Sequence, residues 1–192
     1  VDKFIYIGGN DSMDTVDKLS RYAKEHNIDI AVVGAPKTID NDLAGTDHTP
    51  GFGSAARFVA STVKEVARDS GVYAEKSITI IEIMGRNAGW LTASSALARS
   101  ENSTAPHLIY LPERPVSREK IIKDIKKCKE NNIIIAVSEG IKDENGEYYC
   151  AQATQSHDIF GHAQLAGCAK VLEKFLGDEF GYKMRSVELS VL

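Results

Sequence analysis

The order in which short apolar runs and helical segments alternate constrains this chain more than any other feature. The runs FIYI (4–7), IAVV (30–33), ITIIEI (78–83), LIYL (108–111) and IIIAV (133–137) are short and rich in β-branched residues. Between them lie longer segments of helical period. Met13, Val16, Leu19 and Tyr22 share one face, with Ser12 placed to cap. Val59, Thr62, Val63 and Val66 mark a second helix, started near Ser54 and stopped by Gly71. Ile121, Ile122 and Ile125 mark a third behind Ser117, and a fourth spans 163–176 and closes at Gly177. Strands alternating with helices predict an α/β fold. The near-continuous apolar strands predict parallel sheets with helices on both faces. KDENGEYY (142–149) reads as a surface hairpin or loop around its Asn-Gly pair.

Composition excludes several classes. A length of 192 residues allows one full domain and part of a second. A net charge of −4 gives no electrostatic footprint for nucleic acid. No apolar run approaches the roughly 18 residues of a membrane span, and the first residues lack a signal-peptide pattern. Cys128, Cys150 and Cys168 are scattered without metal-ligand spacing and read as reduced thiols of a cytoplasmic protein. The run KKCK (126–129) reads as a solvated helix face. His48, His107, His157 and His162 have no ligand spacing, and Trp90 is expected to pack at the start of its helix.

The loops at the strand ends carry the chemistry. The five runs lead into GGNDS, APKTIDND, MGRNAG, PERP and SEG. Glycines and charged groups therefore collect at strand C-terminal ends, where open α/β sheets bind ligands, and a shared cleft is expected there. Gly8 and Gly9 allow a tight turn into the helix starting near Met13, whose amides suit an anion; a plain strand-to-helix bend is the other reading. Asp40 and Asp42, two positions apart, could present one carboxylate to a hydroxyl and the other to a metal or water. An Asx turn with solvated carboxylates stays open beside that. Arg86 behind a buried strand suits bidentate phosphate binding or a rim ion pair, and Lys37 adds a compact charge. Positive charge, backbone amides and an acid pair are the groups that phosphoryl transfer uses.

GGNDS, PKTIDNDLAGTDHTPGFGSA, IEIMGRNAGWLTA and SEG, in this order and spacing, resemble the phosphofructokinase family over almost the whole chain. The resemblance implies Rossmann-like lobes, with residues 1–51 the end of a donor-binding lobe and 52–192 the sugar-phosphate lobe. It implies pyrophosphate as donor, because Asp11 and Lys37 stand where users of ATP have glycine. It also implies fructose 6-phosphate as acceptor, Mg²⁺ as cofactor and a homo-oligomer, dimer or tetramer. Asp40 resembles the base acting on the sugar 1-hydroxyl, with Lys37 and Arg86 beside it in the catalytic set. Thr38 and Asp42 look like its supports near the metal and the transferring group. Met84 and Gly85 match the strand-end motif between sugar phosphate and donor, and Glu139 the acid that receives sugar hydroxyls. Arg185 resembles an arginine reaching a neighbouring subunit's 6-phosphate site. Gly8, Gly9, Asp11 and Ser12 fall on the donor side. Asn10 stands where the family has a metal-serving aspartate, keeping the oxygen and losing the charge. A glycine-rich loop before Val1 and an arginine after Leu192 belong to the family pattern, so a central segment of a longer enzyme is expected, folded but inactive alone. The alternatives are an ATP-dependent enzyme, a non-catalytic sugar-phosphate-binding module, and an NAD or lipid kinase. The last lacks PKTIDND followed by MGR.

Overall fold

The computed structural model describes residues 1–152 and 167–189, the side chains at 151 and 152 excepted. In chain order the elements are β1 (Lys3–Gly8), α1 (Asn10–Glu25), β2 (Ala31–Pro36), α2 (Phe52–Ser70), β3 (Ser77–Ile83) and α3 (Trp90–Ser94). Next come β4 (Leu108–Tyr110), α4 (Arg118–Lys127), β5 (Asn132–Ser138), α5 (Cys168–Phe180) and β6 (Lys183–Leu189). The chain divides into two compact units, Val1–Gly53 and Ser54–Leu192. Among the described residues no helix is long and apolar enough to cross a membrane.

In the first unit β1 and β2 pair in parallel, Lys3 opposite Ala31 through Gly8 opposite Pro36, and α1 packs against both. A Cβ at Gly34 would lie 2.7 Å from Met13 Sδ, so glycine lets the helix approach β2. The apolar stripe of α1 thus finds its sheet. The expectation of strands covered on both faces fails here. Ile5 is 65% exposed and Ile7 70%, because a two-stranded sheet with one helix has only one covered face.

The second unit meets that expectation. Its sheet is parallel throughout, in the order β4-β5-β3-β6. All seven residues of β3 are buried. On one face Ile78, Ile80, Ile133, Ile135 and Val137 cluster with Ile121 and Ile125 of α4 and Leu172 and Leu176 of α5. On the other, Thr79 hydrogen-bonds Ser70 at the end of α2, and α3 packs against β4 and β5. Burying each such isoleucine stabilises by roughly 1.5–3 kcal/mol, so this sheet is the centre of the core.

Several boundaries differ from expectation. Helix α1 begins at Asn10 with Gly9 as its cap, so Ser12 is inside the first turn and caps nothing. Gly9 is extended (φ −80°, ψ −163°) and its carbonyl accepts the Met13 amide, which starts the helix early. Helix α5 passes through Gly177 and ends at Gly181, whose φ of 62° is the left-handed cap; its expected start at 163 lies outside the described residues, as do His157 and His162. Strand β6 was not expected, since KMRSVEL neither alternates nor runs continuously apolar. Ser117 does cap α4, accepting the Lys120 amide at 3.3 Å. The 142–149 loop closes through an antiparallel bridge between Lys142 and Tyr148. Trp90 opens α3 but remains 56% exposed instead of packing. All three cysteines carry free thiols.

Candidate active site

Parallel pairing puts the C-terminal ends of β1 and β2 side by side. The Lys37 amide donates to the Gly8 carbonyl at 2.9 Å, so the loops GGNDS and PKTIDND are joined at their roots. A Cβ at Gly8 would fall 2.1 Å from Ser12 Oγ; only glycine admits the first turn of α1 so close to the strand. Asn10 and Asp11 occupy that turn, where the helix dipole favours an anion or a carboxylate. Asn10 and Lys37 are exposed, whereas Asp11 and Ser12 are half-buried.

The TIDND stretch is built on two local devices. Thr38 Oγ1 accepts the Asp40 amide at 3.0 Å, a side-chain turn of the kind threonine favours. Asn41 then adopts φ 58°, the left-handed region that asparagine tolerates better than most residues. The chain changes direction between the two aspartates. Asp40 ends half-buried with Oδ1 wholly shielded from solvent, while Asp42 is exposed. Asn41 is itself buried, accepting the Thr49 amide at 2.9 Å and donating to the Asp47 carbonyl at 3.1 Å.

In the second unit three strand-end loops are tied together. The Glu139 amide donates to the Ile83 carbonyl at 3.0 Å, and Glu139 Oε1 accepts the Gly85 amide at 3.2 Å. Ser138, fully buried, donates to the Gly85 carbonyl at 2.5 Å and accepts the Gly140 amide at 3.2 Å. A Cβ on Gly140 would lie 1.9 Å from the Arg86 carbonyl oxygen, so glycine is obligatory where the loops cross. Gly85 has φ 132°, where a side chain would be strained. Glu113, from the loop after β4, accepts the Gly89 amide at 2.7 Å. Met84 and Arg86 are half-buried. One step back on β3, buried Glu82 accepts the Gly167 and Ala169 amides at 3.2 and 2.7 Å, capping α5. Burial pushes its carboxyl above the usual range, against those two hydrogen bonds.

The five loops therefore converge as two sets, those after β1 and β2 and those after β3, β4 and β5. Arg185 belongs to neither. It pairs in register with Thr79, five residues before Met84, or roughly 16 Å at ~3.3 Å per residue, and its guanidinium donates to Asp69 at 2.5 Å. Asn41, Ser138 and Gly140 were not singled out from sequence; only the asparagine between two aspartates carried a signal, its tolerance of positive φ.

Among the described residues no group of three or more His, Cys, Asp or Glu could hold a metal ion. Asn10 and Asp42 are exposed oxygen donors, which fits Mg²⁺ held by one or two protein oxygens together with phosphate and water.

The family model described as Phosphofructokinase matches residues 1–188. The chain belongs to the phosphofructokinase family. It is 44% identical to a pyrophosphate–fructose 6-phosphate 1-phosphotransferase of Xanthomonas campestris over 94% of its own length and 44% of that relative's. It is 33% identical to a sulfofructose kinase of Alkalicoccus urumqiensis, over 100% of this chain and 49% of that one. A crystal structure of a pyrophosphate-dependent phosphofructokinase from Marinobacter aquaeolei superposes with a TM-score of 0.76 at 33% identity, covering 99% of this chain and 44% of that one. This phosphofructokinase-family chain thus spans about half the length of the curated relatives it matches, and its α/β parallel sheets are those of the family.

Proposed function

We propose that this chain serves a pyrophosphate-dependent phosphofructokinase, transferring a phosphoryl group from pyrophosphate to the 1-hydroxyl of fructose 6-phosphate. Residues 1–51 supply donor groups and 52–192 the sugar-phosphate lobe. Asp40 takes the proton as the sugar O1–H bond breaks. O1 bonds to phosphorus as the bridging P–O bond of pyrophosphate opens, and orthophosphate leaves. Lys37 and Arg86 neutralise charge on the phosphates, worth up to ~4 kcal/mol per close pair at an effective dielectric near 20. The first-turn amides of α1, with Gly8, Gly9, Asp11 and Ser12, hold the donor. Thr38 fixes the Asp40 backbone. Asn10 and Asp42 would hold Mg²⁺, which supplies charge neutralisation at the transferring group. Met84, Gly85 and Glu139 orient the sugar phosphate, and Arg185 serves the 6-phosphate of a neighbouring subunit in a cytoplasmic homo-oligomer.

The observation that carries the reading is the backbone bond that joins the loop bearing Lys37 to the turn before α1, whose first turn carries Asp11. A compact ammonium suits a small diphosphate, and a carboxylate in the first turn takes space and charge that a nucleotide would need. The test is a donor assay on the full-length protein: fructose 1,6-bisphosphate formed from fructose 6-phosphate with pyrophosphate, with ATP supporting at most a trace. Preference for ATP would overturn the donor assignment, and absence of product with both donors would overturn the reaction.

A further inference from the structure

We infer that Asn41 is a positioning residue of the acid pair, the side chain between Asp40 and Asp42 that helps fix them in their different environments. The inference rests on the phosphoryl-transfer reading for its kinetic consequence and on the structure alone for its geometric one.

Three observations carry it. Asn41, the one residue separating the two carboxylates, has φ 58°, a left-handed backbone that few residue types tolerate. It is only 9% exposed, although the residues on either side are charged. And its amide group is used at both ends. Nδ2 donates to the Asp47 carbonyl at 3.1 Å; Oδ1 accepts the Thr49 amide at 2.9 Å and the Thr49 hydroxyl at 3.3 Å. Thr49 is itself buried. These bonds close the loop from Asn41 to Thr49 on itself, six and eight residues away along the chain. With Thr38 Oγ1 holding the Asp40 amide from the other side, the aspartate backbone is clamped before and after.

Glycine, aspartate and alanine each lose part of this. Glycine adopts the backbone angle and lacks the clamp. Aspartate keeps an acceptor for the Thr49 amide but turns a carboxylate oxygen toward the Asp47 carbonyl, replacing a donor by repulsion. Alanine loses the clamp and is strained at positive φ.

The experiment compares Asn41→Gly and Asn41→Asp with the parent in the full-length protein, by steady-state kinetics and by amide hydrogen exchange at Thr49. The glycine variant is expected to lose roughly 10²-fold in kcat, the size of effect expected from misplacing a reacting group by about 1 Å. KM for fructose 6-phosphate should stay within about threefold, because Met84, Gly85 and Glu139, which orient it, lie on other loops. The aspartate variant should fall between glycine and parent. Thr49 exchange should accelerate in the glycine variant while amides of β1 and β2 stay unchanged. A glycine variant with kcat within about threefold of the parent, or a loss carried by KM for fructose 6-phosphate, overturns the inference. So does Thr49 exchange that is unchanged by removing Asn41, a readout that holds even if the parent transfers no phosphoryl group and the functional reading itself fails.

Discussion

Ser138→Ala removes one oxygen from the point where the loops after β3 and β5 cross. The hydroxyl is fully buried, donates to the Gly85 carbonyl at 2.5 Å and accepts the Gly140 amide at 3.2 Å. Alanine fits the space and strains nothing, so the cost is that of two buried backbone groups left without this partner. Each such group costs about 1–3 kcal/mol, and some relaxation at the loop crossing puts the expected total at about 2–4 kcal/mol. For a chain of this size a change of that order lowers Tm by roughly 5–15 °C. Thermal unfolding by circular dichroism measures it, and exchange of the Gly140 amide, expected to speed up in the variant, locates it. Gly140 cannot retreat to compensate, because its Cα already meets the Arg86 backbone with no room for a Cβ. A loss below ~0.5 kcal/mol, within the range of ordinary surface substitutions, would show that Ser138 does not hold the crossing.

Thr92→Val tests the converse case: Thr92 Oγ1 is buried without a hydrogen-bond partner among the described residues, so the isosteric valine should stabilise by roughly 1 kcal/mol; a loss of stability in denaturant titration would refute this. His107 is held neutral, its basicity lowered first by burial, with Nδ1 accepting the Ile134 amide at 2.8 Å. Its folded pKa lies below its ordinary 6.5, so the unfolded chain binds the proton first and stability must fall as pH drops below about 6.5. His107→Gln should flatten that part of the pH–stability curve, and an unchanged slope would refute the assignment. Asp40→Asn in the full-length protein should lower kcat by ~10²–10⁴ with little change in KM, since proton removal occurs only toward the transition state; an unchanged kcat would remove Asp40 from its role as base.

The strands of the second unit were legible because their signal is one of burial. ITIIEI and IIIAV lie in the middle of a four-stranded sheet, covered on both faces, which is the setting that such continuous apolar runs suit. The same rule misled at FIYI. Its residues are as apolar, yet within its unit β1 pairs only with β2 and Ile5 and Ile7 face solvent; sequence records what a strand is suited to, and the partner decides whether it is covered. KMRSVEL was missed for the opposite reason. It is the edge strand β6, where solvent on one side allows Lys183, Arg185 and Glu188, so no period survives. Helix ends were blurred wherever glycine served in two ways: Gly177 sits inside α5 beside Met184, while Gly181 does the capping.

The candidate site divides along a physical line. Residues expected to meet phosphate or sugar (Lys37, Asp40, Asp42, Arg86 and Glu139) announce themselves because charged groups recur at the C-terminal ends of successive strands, where α/β sheets bind ligands. The residues that place them are quiet. Asn41, Ser138 and Gly140 work on main-chain amides and carbonyls; for Ser138 and Gly140 those partners come from a tertiary crossing, and for Asn41 from the closure of its own loop. An asparagine, a serine and a glycine in a loop look the same whether they bind backbone or water. The distinction lies in burial, which is 9% exposure for Asn41 and 0% for Ser138. Substitutions at these quiet positions should therefore change rate and stability together, whereas substitutions at exposed Lys37 or Asp42 should change rate with stability nearly unmoved.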